Sequence, residues 1–292
     1  MAMDDSHQYQ PPNVIVIVAH DLGDYLGCYG HTVNTPNLDR MATQGVRFAN
    51  HFSTASLCSP SRGSIITGKY PHTNGLMGLC NLGWELPIDN ITDAQRFADA
   101  GYHTHPVGFQ HETKANNSLG FQNNYDMSVK GGHNYATDIV AEFAGDLLQT
   151  FADEKEGSNE PQPFYIRMGM FSVHRAISAM TGNYGYDFSH ANGIDESKVD
   201  VMPQWKDTPQ LRQDLTGFTG DVNNMDRGVG ILLDALDKSE FAQNTIVVFT
   251  TDHGIQYPFG KCSLYDLGIR TAMIVRYPQR FNAGTVIDAI SS

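Results

Sequence analysis

Val14-Ile15-Val16-Ile17-Val18-Ala19 is an unbroken apolar run, β-branched at five of its six positions. A strand with one wet face alternates apolar and polar residues. A strand that is apolar throughout belongs inside a parallel sheet covered on both sides. Phe164–Phe171 and Thr245–Thr251 read the same way, and Tyr102–Val107 and Ala272–Tyr277 add two further strands. Helical patterns lie between them. Thr35-Pro36 opens one, with Leu38, Met41 and Ala42 on one face and Gly45 as its stop. Cys58–Gly68 reads as a loop entering another, with Pro60 near its start; Thr92–Ala100 and Asp138–Phe151 follow. Leu211–Lys238 carries Leu215, Val222, Met225, Val229, Leu232, Leu233 and Leu236 on one broad face. Strands alternating with helices specify an α/β fold, a mainly parallel central sheet flanked by helices on both faces. No repeat and no Pro/Ser linker divides the 292 residues, so residues 14–292 are expected to form one domain after a flexible polar lead-in, 1–13.

Charge and composition exclude several classes of partner. Lys and Arg number 19 against 32 Asp and Glu, a net charge of −13, and no basic cluster stands out. Neutralising nucleic-acid phosphates needs a basic face, so no nucleic acid is expected. The longest apolar run is Val14–Ala19, far short of the roughly 20 residues that cross a bilayer as a helix, so no membrane span is expected. Met1–Asp5 lacks the basic and apolar regions of a signal peptide, which gives a cytoplasmic location as the expectation. Cys28, Cys58, Cys80 and Cys262 have neither zinc-knuckle spacing nor the density of a disulfide scaffold, and each reads by default as a small buried hydrophobe. Residues 176–209 are rich in Gly, Asn, Pro and Asp and read as a long excursion that shapes a substrate site.

Chemistry collects at three places. Two strands far apart in the chain end in the same kind of pair, His20-Asp21 and Asp252-His253. Carboxyl ends of adjacent parallel strands form the ligand crevice of such sheets, so the two pairs can meet there. Carboxylates with one or two imidazoles suit a divalent cation; the plainer alternative is that the Asp residues cap turns and the His residues fill space. Cys58 lies at a helix N-terminus, where unpaired N–H groups depress a thiol pKa, and Arg62 follows one turn later. A buried structural thiol is the alternative for Cys58.

Cys58-Ser59-Pro60-Ser61-Arg62 followed by Ile66-Thr67-Gly68 resembles the signature of type I sulfatases, formylglycine-dependent members of the alkaline phosphatase superfamily. The resemblance covers nearly the whole chain. Asn34–Asp39, Gly68–His72, Thr251–Gly254 and Gly260–Arg270 fall in the family's order. It implies an alkaline phosphatase-like α/β catalytic domain in which Cys58 is oxidised to formylglycine by a formylglycine-generating enzyme. The aldehyde would be hydrated to a geminal diol and activated by a divalent metal, Ca2+ first, with Mg2+, Mn2+ and Zn2+ as alternatives. One hydroxyl would attack sulfur and expel the alcohol; the other would help eliminate sulfate. The implied metal ligands are His20, Asp21, Cys58, Asp252 and His253. Arg62 would hold the diol. His111, in Phe109-Gln110-His111, falls at the family's Lys-Trp-His segment. His174, in Val173-His174, would bind sulfate or protonate the leaving oxygen, and Lys261 matches a sulfate-binding lysine. The implied substrate is a small sulfated molecule, a sugar or alcohol carrying a sulfate ester or N-sulfate. A phosphonate or phosphodiester hydrolase of the same superfamily is one alternative, and a non-catalytic binder of sulfated glycans is another.

Two departures from the family pattern stand out. His20 replaces a usual Asp, which removes a negative charge and tilts a hard Ca2+ site toward a softer metal. Phe109 replaces a lysine, which puts more of the anion's charge on Lys261, the histidines and the metal. The chain also ends at Ile287–Ser292, where the family's later strand and smaller C-terminal subdomain should follow. The expectation is therefore a catalytic domain over 14–292, cut short at its C-terminal end, with an exposed apolar edge and self-association as consequences.

Overall fold

The computed structural model describes residues 10–114, 119–123, 136–156, 162–177 and 184–292. In chain order the elements are β1 (Asn13–Ala19), α1 (Pro36–Gln44), β2 (Val46–Phe52), α2 (Cys58–Thr67), α3 (Pro71–Asn74), α4 (Asp93–Asp99) and β3 (His103–Gly108). Then come α5 (Thr137–Glu156), β4 (Phe164–Gly169), β5 (Ala176–Ile177), β6 (Tyr184–Gly185), α6 (Pro209–Lys238) and β7 (Thr245–Thr251). The chain closes with α7 (Asp266–Ile269), β8 (Arg270–Thr271), β9 (Met273–Arg276) and β10 (Thr285–Ser291). The expected lead-in falls mostly on residues 1–9, outside the described residues, and Asn13 already belongs to β1.

The main sheet runs in the order β10-β2-β9-β7-β1-β4-β3, with β8 paired to β2. β1 pairs in parallel with β7 and β4, β3 with β4, and β2 with β10. β9 is antiparallel to both β7 and β2, so the strand expected at Ala272–Tyr277 forms but runs against its neighbours. The central position of β1 explains its unbroken apolar sequence. Ile15, Ile17 and Ala19 face a large core shared with α1, α5 and α6. Val14 and Val16 face a smaller core that includes Ile66 of α2, Ala94 of α4 and Tyr165 of β4. β2 and β10 have no such run. β2 buries only Val46 fully, and edge strand β10 leaves Val286 and Ile290 exposed.

Helix placement follows from polar contacts as well as burial. Asp226, midway along α6, accepts the backbone N–H groups of Asn37 (3.1 Å) and Leu38 (2.8 Å), so α6 caps the start of α1. The excursion at 176–209 begins as a short β5–β6 hairpin; its residues 178–183 lie outside the described residues. Its later part packs on α6, where Asp187 N–H and His190 Nδ1 both meet the buried carboxylate of Asp221.

The carboxyl ends of β1, β7, β4 and β3 open on one side, and β4 ends on Gly169. A Cβ there would collide with the carbonyl of Phe109 in the loop after β3. Gly169→Ala is expected to destabilise the fold by about 1–3 kcal/mol through overpacking. Denaturant unfolding measures this, with a native far-UV spectrum retained.

Candidate active site

β1 and β7 are paired through Ala19 opposite Thr251, so His20-Asp21 and Asp252-His253 leave the sheet side by side. Asp252 N–H donates to the Ala19 carbonyl (3.1 Å), and Asp21 N–H returns a bond to Asp252 Oδ1 (2.9 Å). Helix α2 begins at Cys58, after Leu57 at the N-cap. Arg62, one turn on, donates its Nε–H to Asp252 Oδ2 (2.9 Å), and Ser61 Oγ donates to the Asp252 carbonyl oxygen. The three places singled out in the sequence therefore meet at one carboxylate.

The cluster is fully buried and strongly coupled. His20 Nδ1 lies 2.8 Å from Asp21 Oδ1 and 3.1 Å from Asp252 Oδ2, and His253 Nε2 lies 3.0 Å from Asp21 Oδ1. Cys58 Sγ is 3.3 Å from His253 Nε2 and 3.8 Å from Asp21 Oδ1. Burial disfavours charge on every one of these groups, yet mutual attraction wins. His20 is pushed up to about 10 against the burial cost by the carboxylates of Asp252 and Asp21. Despite their burial, Asp21 and Asp252 are held well below the usual carboxylate range by the two imidazoles, Arg62 adding to the effect at Asp252. Burial would raise the Cys58 thiol, but His20 draws it well below its ordinary value.

Three loops bring in the remaining candidates. Lys261 donates to Asp21 Oδ2 (2.6 Å), and its pKa is raised because Asp21 outweighs desolvation. His174 Nε2 is 3.8 Å from Asp21 Oδ2 while Nδ1 meets the Arg175 carbonyl. Burial and the charge of His20 pull His174 down to about 4, so at neutral pH it is uncharged. His111 joins Cys58, His20, His174 and Lys261 in lining a cavity of about 810 Å3. Backbone strain marks the same places. Among the described residues the non-glycine positions with left-handed φ are Asp21, Val173, Phe259 and Cys262. Asp21 is itself in the cluster, Val173 precedes His174 and Cys262 follows Lys261. Such conformations cost about 1–3 kcal/mol each and persist only where the surroundings impose them.

The residues present fit a divalent cation. One donor atom from each of His20, Asp21, Cys58, Asp252 and His253 lies within 4.8 Å of all the others. The buried His20 Nδ1 lies against carboxylate oxygens of both Asp21 and Asp252, so nitrogen and oxygen donors converge at one point, where a cation could take the place of the proton between them.

Other residues shaping the site gave no signal in the sequence. Glu112 is fully buried; it accepts His111 N–H (2.7 Å) on one oxygen and Arg167 Nη2 (3.0 Å) on the other. Arg167, on β4, also binds Asp93 at the start of α4 (3.1 Å). The His111 carbonyl accepts from Cys80 Sγ, and Cys80 N–H bonds Ser59 Oγ of α2. His111 is thus clamped from both sides of its peptide. Across the cavity, Arg175 forms a two-point ion pair with Asp214 and lies over the rings of Tyr186 and Tyr257. The Arg167–Glu112, Arg167–Asp93 and Arg175–Asp214 pairs join residues far apart in the chain, so only the fold reveals them.

The family model for sulfatases matches residues 12–292. Human N-sulphoglucosamine sulphohydrolase is 28% identical to this chain, over 92% of it and 56% of that protein. An ulvan-active sulfatase of Formosa agariphila is also 28% identical, over 94% of this chain and 49% of its own. The chain spans about half the length of these two curated relatives. The crystal structure of Ps i-CgsB in complex with k-i-k-neocarrahexaose superposes with a TM-score of 0.73 at 24% identity, over 97% of this chain and 69% of that one.

Removing Glu112 would leave Arg167 buried with one carboxylate in place of two. Glu112→Ala is expected to cost about 3 kcal/mol in urea unfolding, and Glu112→Gln clearly less, because its amide oxygen still accepts the His111 N–H.

Proposed function

Because this chain belongs to the sulfatase family, we propose that it hydrolyses a sulfate ester or N-sulfate of a sugar, using Cys58 converted to formylglycine and a divalent metal. The observation that carries the reading is the convergence of Cys58, at the start of α2, with both strand-end Asp/His pairs in one buried cluster. A glycan-binding module has no use for a convertible cysteine held against four metal-ligand candidates. The N-sulphoglucosamine of one relative's name supports a sulfated sugar as the substrate class. The cavity also suits one, since small-ligand sites span roughly 300–1,000 Å3.

A divalent metal bound there, Ca2+ in the family resemblance, would stabilise negative charge on the nucleophilic oxygen and on the sulfate. His20, Asp21, Asp252 and His253 would hold that ion. Arg62 fixes Asp252 and so sets the wall against which the residue at 58 is oriented. Lys261 brings a full positive charge to the cavity and would bind the sulfate oxygens as their negative charge grows. His174, neutral with Nδ1 on the Arg175 carbonyl, presents Nε2 as a hydrogen-bond acceptor; it would serve as an acid only after taking up a proton. His111, held by its clamped peptide, faces the same cavity and can relay a proton. The maturation partner in this reading is a formylglycine-generating enzyme. Exposed Val286 and Ile290 on edge strand β10 support self-association along that edge.

Mass spectrometry of the peptide containing residue 58, from protein produced beside its maturation enzyme, is expected to show a species about 18 Da lighter than the cysteine form. An unmodified thiol would overturn the mechanism. The matured protein should release sulfate from aryl sulfates and N-sulfated glucosamine faster than it cleaves aryl phosphodiesters, and Cys58→Ala should abolish both. Lys261→Ala should lower kcat/KM roughly 30-fold, the loss of about 2 kcal/mol for one charged contact to the anion.

A further inference from the structure

We infer that the cluster at the ends of β1 and β7 selects an imidazole-seeking divalent ion of the Zn2+ class over Ca2+, with Phe109 as the positioning residue that keeps His20 among its ligands. This rests on the reading of that cluster as the metal site of a sulfatase, and it departs from the Ca2+ which the family resemblance implies.

Oxygen supply is the first argument. Ca2+ takes roughly six to eight oxygen ligands and gains affinity from the number of charged ones. Here only two carboxylates are available among the described residues, and each shares its oxygens with other donors. Asp252 Oδ1 accepts the N–H groups of Asp21 and His253, and Oδ2 accepts Arg62. Asp21 Oδ2 is held by Lys261. No further Asp or Glu joins the group among the described residues. Arg62 and Lys261 together balance the two carboxylates, so little net negative charge is left to attract a hard cation. Beside Asp21 Oδ1 and Asp252 Oδ2 lie two ring nitrogens, His20 Nδ1 and His253 Nε2. Two nitrogens and two oxygens make the mixed set of a four-coordinate borderline metal.

The surroundings of His20 are the second argument. Its ring stacks on Phe109 (4.8 Å between centroids, 26° between planes), meets the edge of Phe171 (5.8 Å) and touches the ring of His174 (4.4 Å). A carboxylate enclosed by these rings would lose its water at a greater cost than a neutral nitrogen ligand would. Phe109 also carries the Arg62 guanidinium over its ring, 4.8 Å from the centroid. The two departures from the family pattern are therefore one contact: the phenyl ring at 109 holds the imidazole at 20.

The test is metal competition on the whole chain. Protein stripped by chelation is equilibrated with one equivalent of Zn2+ and a hundredfold excess of Ca2+, desalted, and its metal content measured. The same is done with Cys58→Ala, so that no thiolate contributes. Both proteins are expected to keep about one Zn2+ per chain and almost no Ca2+, and Co2+ should give the intense visible absorption of a four-coordinate site. His20→Asp should move the Zn2+/Ca2+ preference toward Ca2+ at least about tenfold, and Phe109→Leu should weaken Zn2+ binding about 10-fold with the unfolding midpoint of the metal-free protein little changed. Retention of Ca2+ from the mixture, retention of neither ion, or a His20→Asp variant with unaltered preference would each overturn the inference. If the variants fail to fold, the competition on the unsubstituted chain decides alone. Because metal retention needs no turnover, a Zn2+-binding protein that releases no sulfate counts against the sulfatase reading, and an active Ca2+-loaded protein counts against this inference alone.

Discussion

The Asp252 carboxylate is the contact on which the rest of the site depends. One oxygen receives two backbone N–H groups, from Asp21 and His253, and so fixes how β1 and β7 leave the sheet. The other receives the Arg62 guanidinium and so fixes the roll of α2, which carries Cys58. Three elements from opposite ends of the chain are joined through a single side chain at 0% exposure. Breaking such a buried ion pair from either side leaves an uncompensated charge, at a cost of about 3–5 kcal/mol. Cooperativity follows: the cluster is assembled as a unit or not at all.

Much of the fold was legible because the central strands are buried on both faces. Val14–Ala19, Phe164–Gly169 and Thr245–Thr251 announce themselves by lacking alternation, and α6 by its long apolar face. β2 and β10 were not legible for the converse reason. They lie toward one edge, where pairing comes from backbone hydrogen bonds, and Arg47, Asn50 and Asp288 interrupt any apolar pattern. Within the site, the two Asp/His pairs were readable as strand ends, whereas His111, His174 and Lys261 could be picked out only by family likeness. The Glu112–Arg167 clamp and the Phe109–His20 stack join residues more than fifty positions apart, and no local pattern encodes them. The left-handed turn at Val173 was also hidden, because a β-branched residue is a poor candidate for that conformation.

Strain and crowding act together around the cavity. Gly169 and Gly254 let neighbouring backbones approach closer than any side chain would allow, the first against Phe109 and the second against Leu267. Left-handed Asp21 and Cys262 then turn the chain where glycine would be the easier choice. Close backbone contact leaves little slack, so the loops bearing His111 and Lys261 are positioned by the sheet and not by their own flexibility.

The burial of Cys58 has a consequence for timing. The residue is 2% exposed, in the first turn of α2, clustered with His20, Asp21 and His253. A maturation enzyme of the kind proposed would have to surround the cysteine and its neighbours with its own active site, and the folded chain exposes too little of Cys58 for that. In the proposed function, conversion of Cys58 would therefore have to precede folding, on a chain still extended around residue 58. A chain that folded first would keep its thiol, so under that proposal the competent share of a preparation would be set during synthesis, before the site exists.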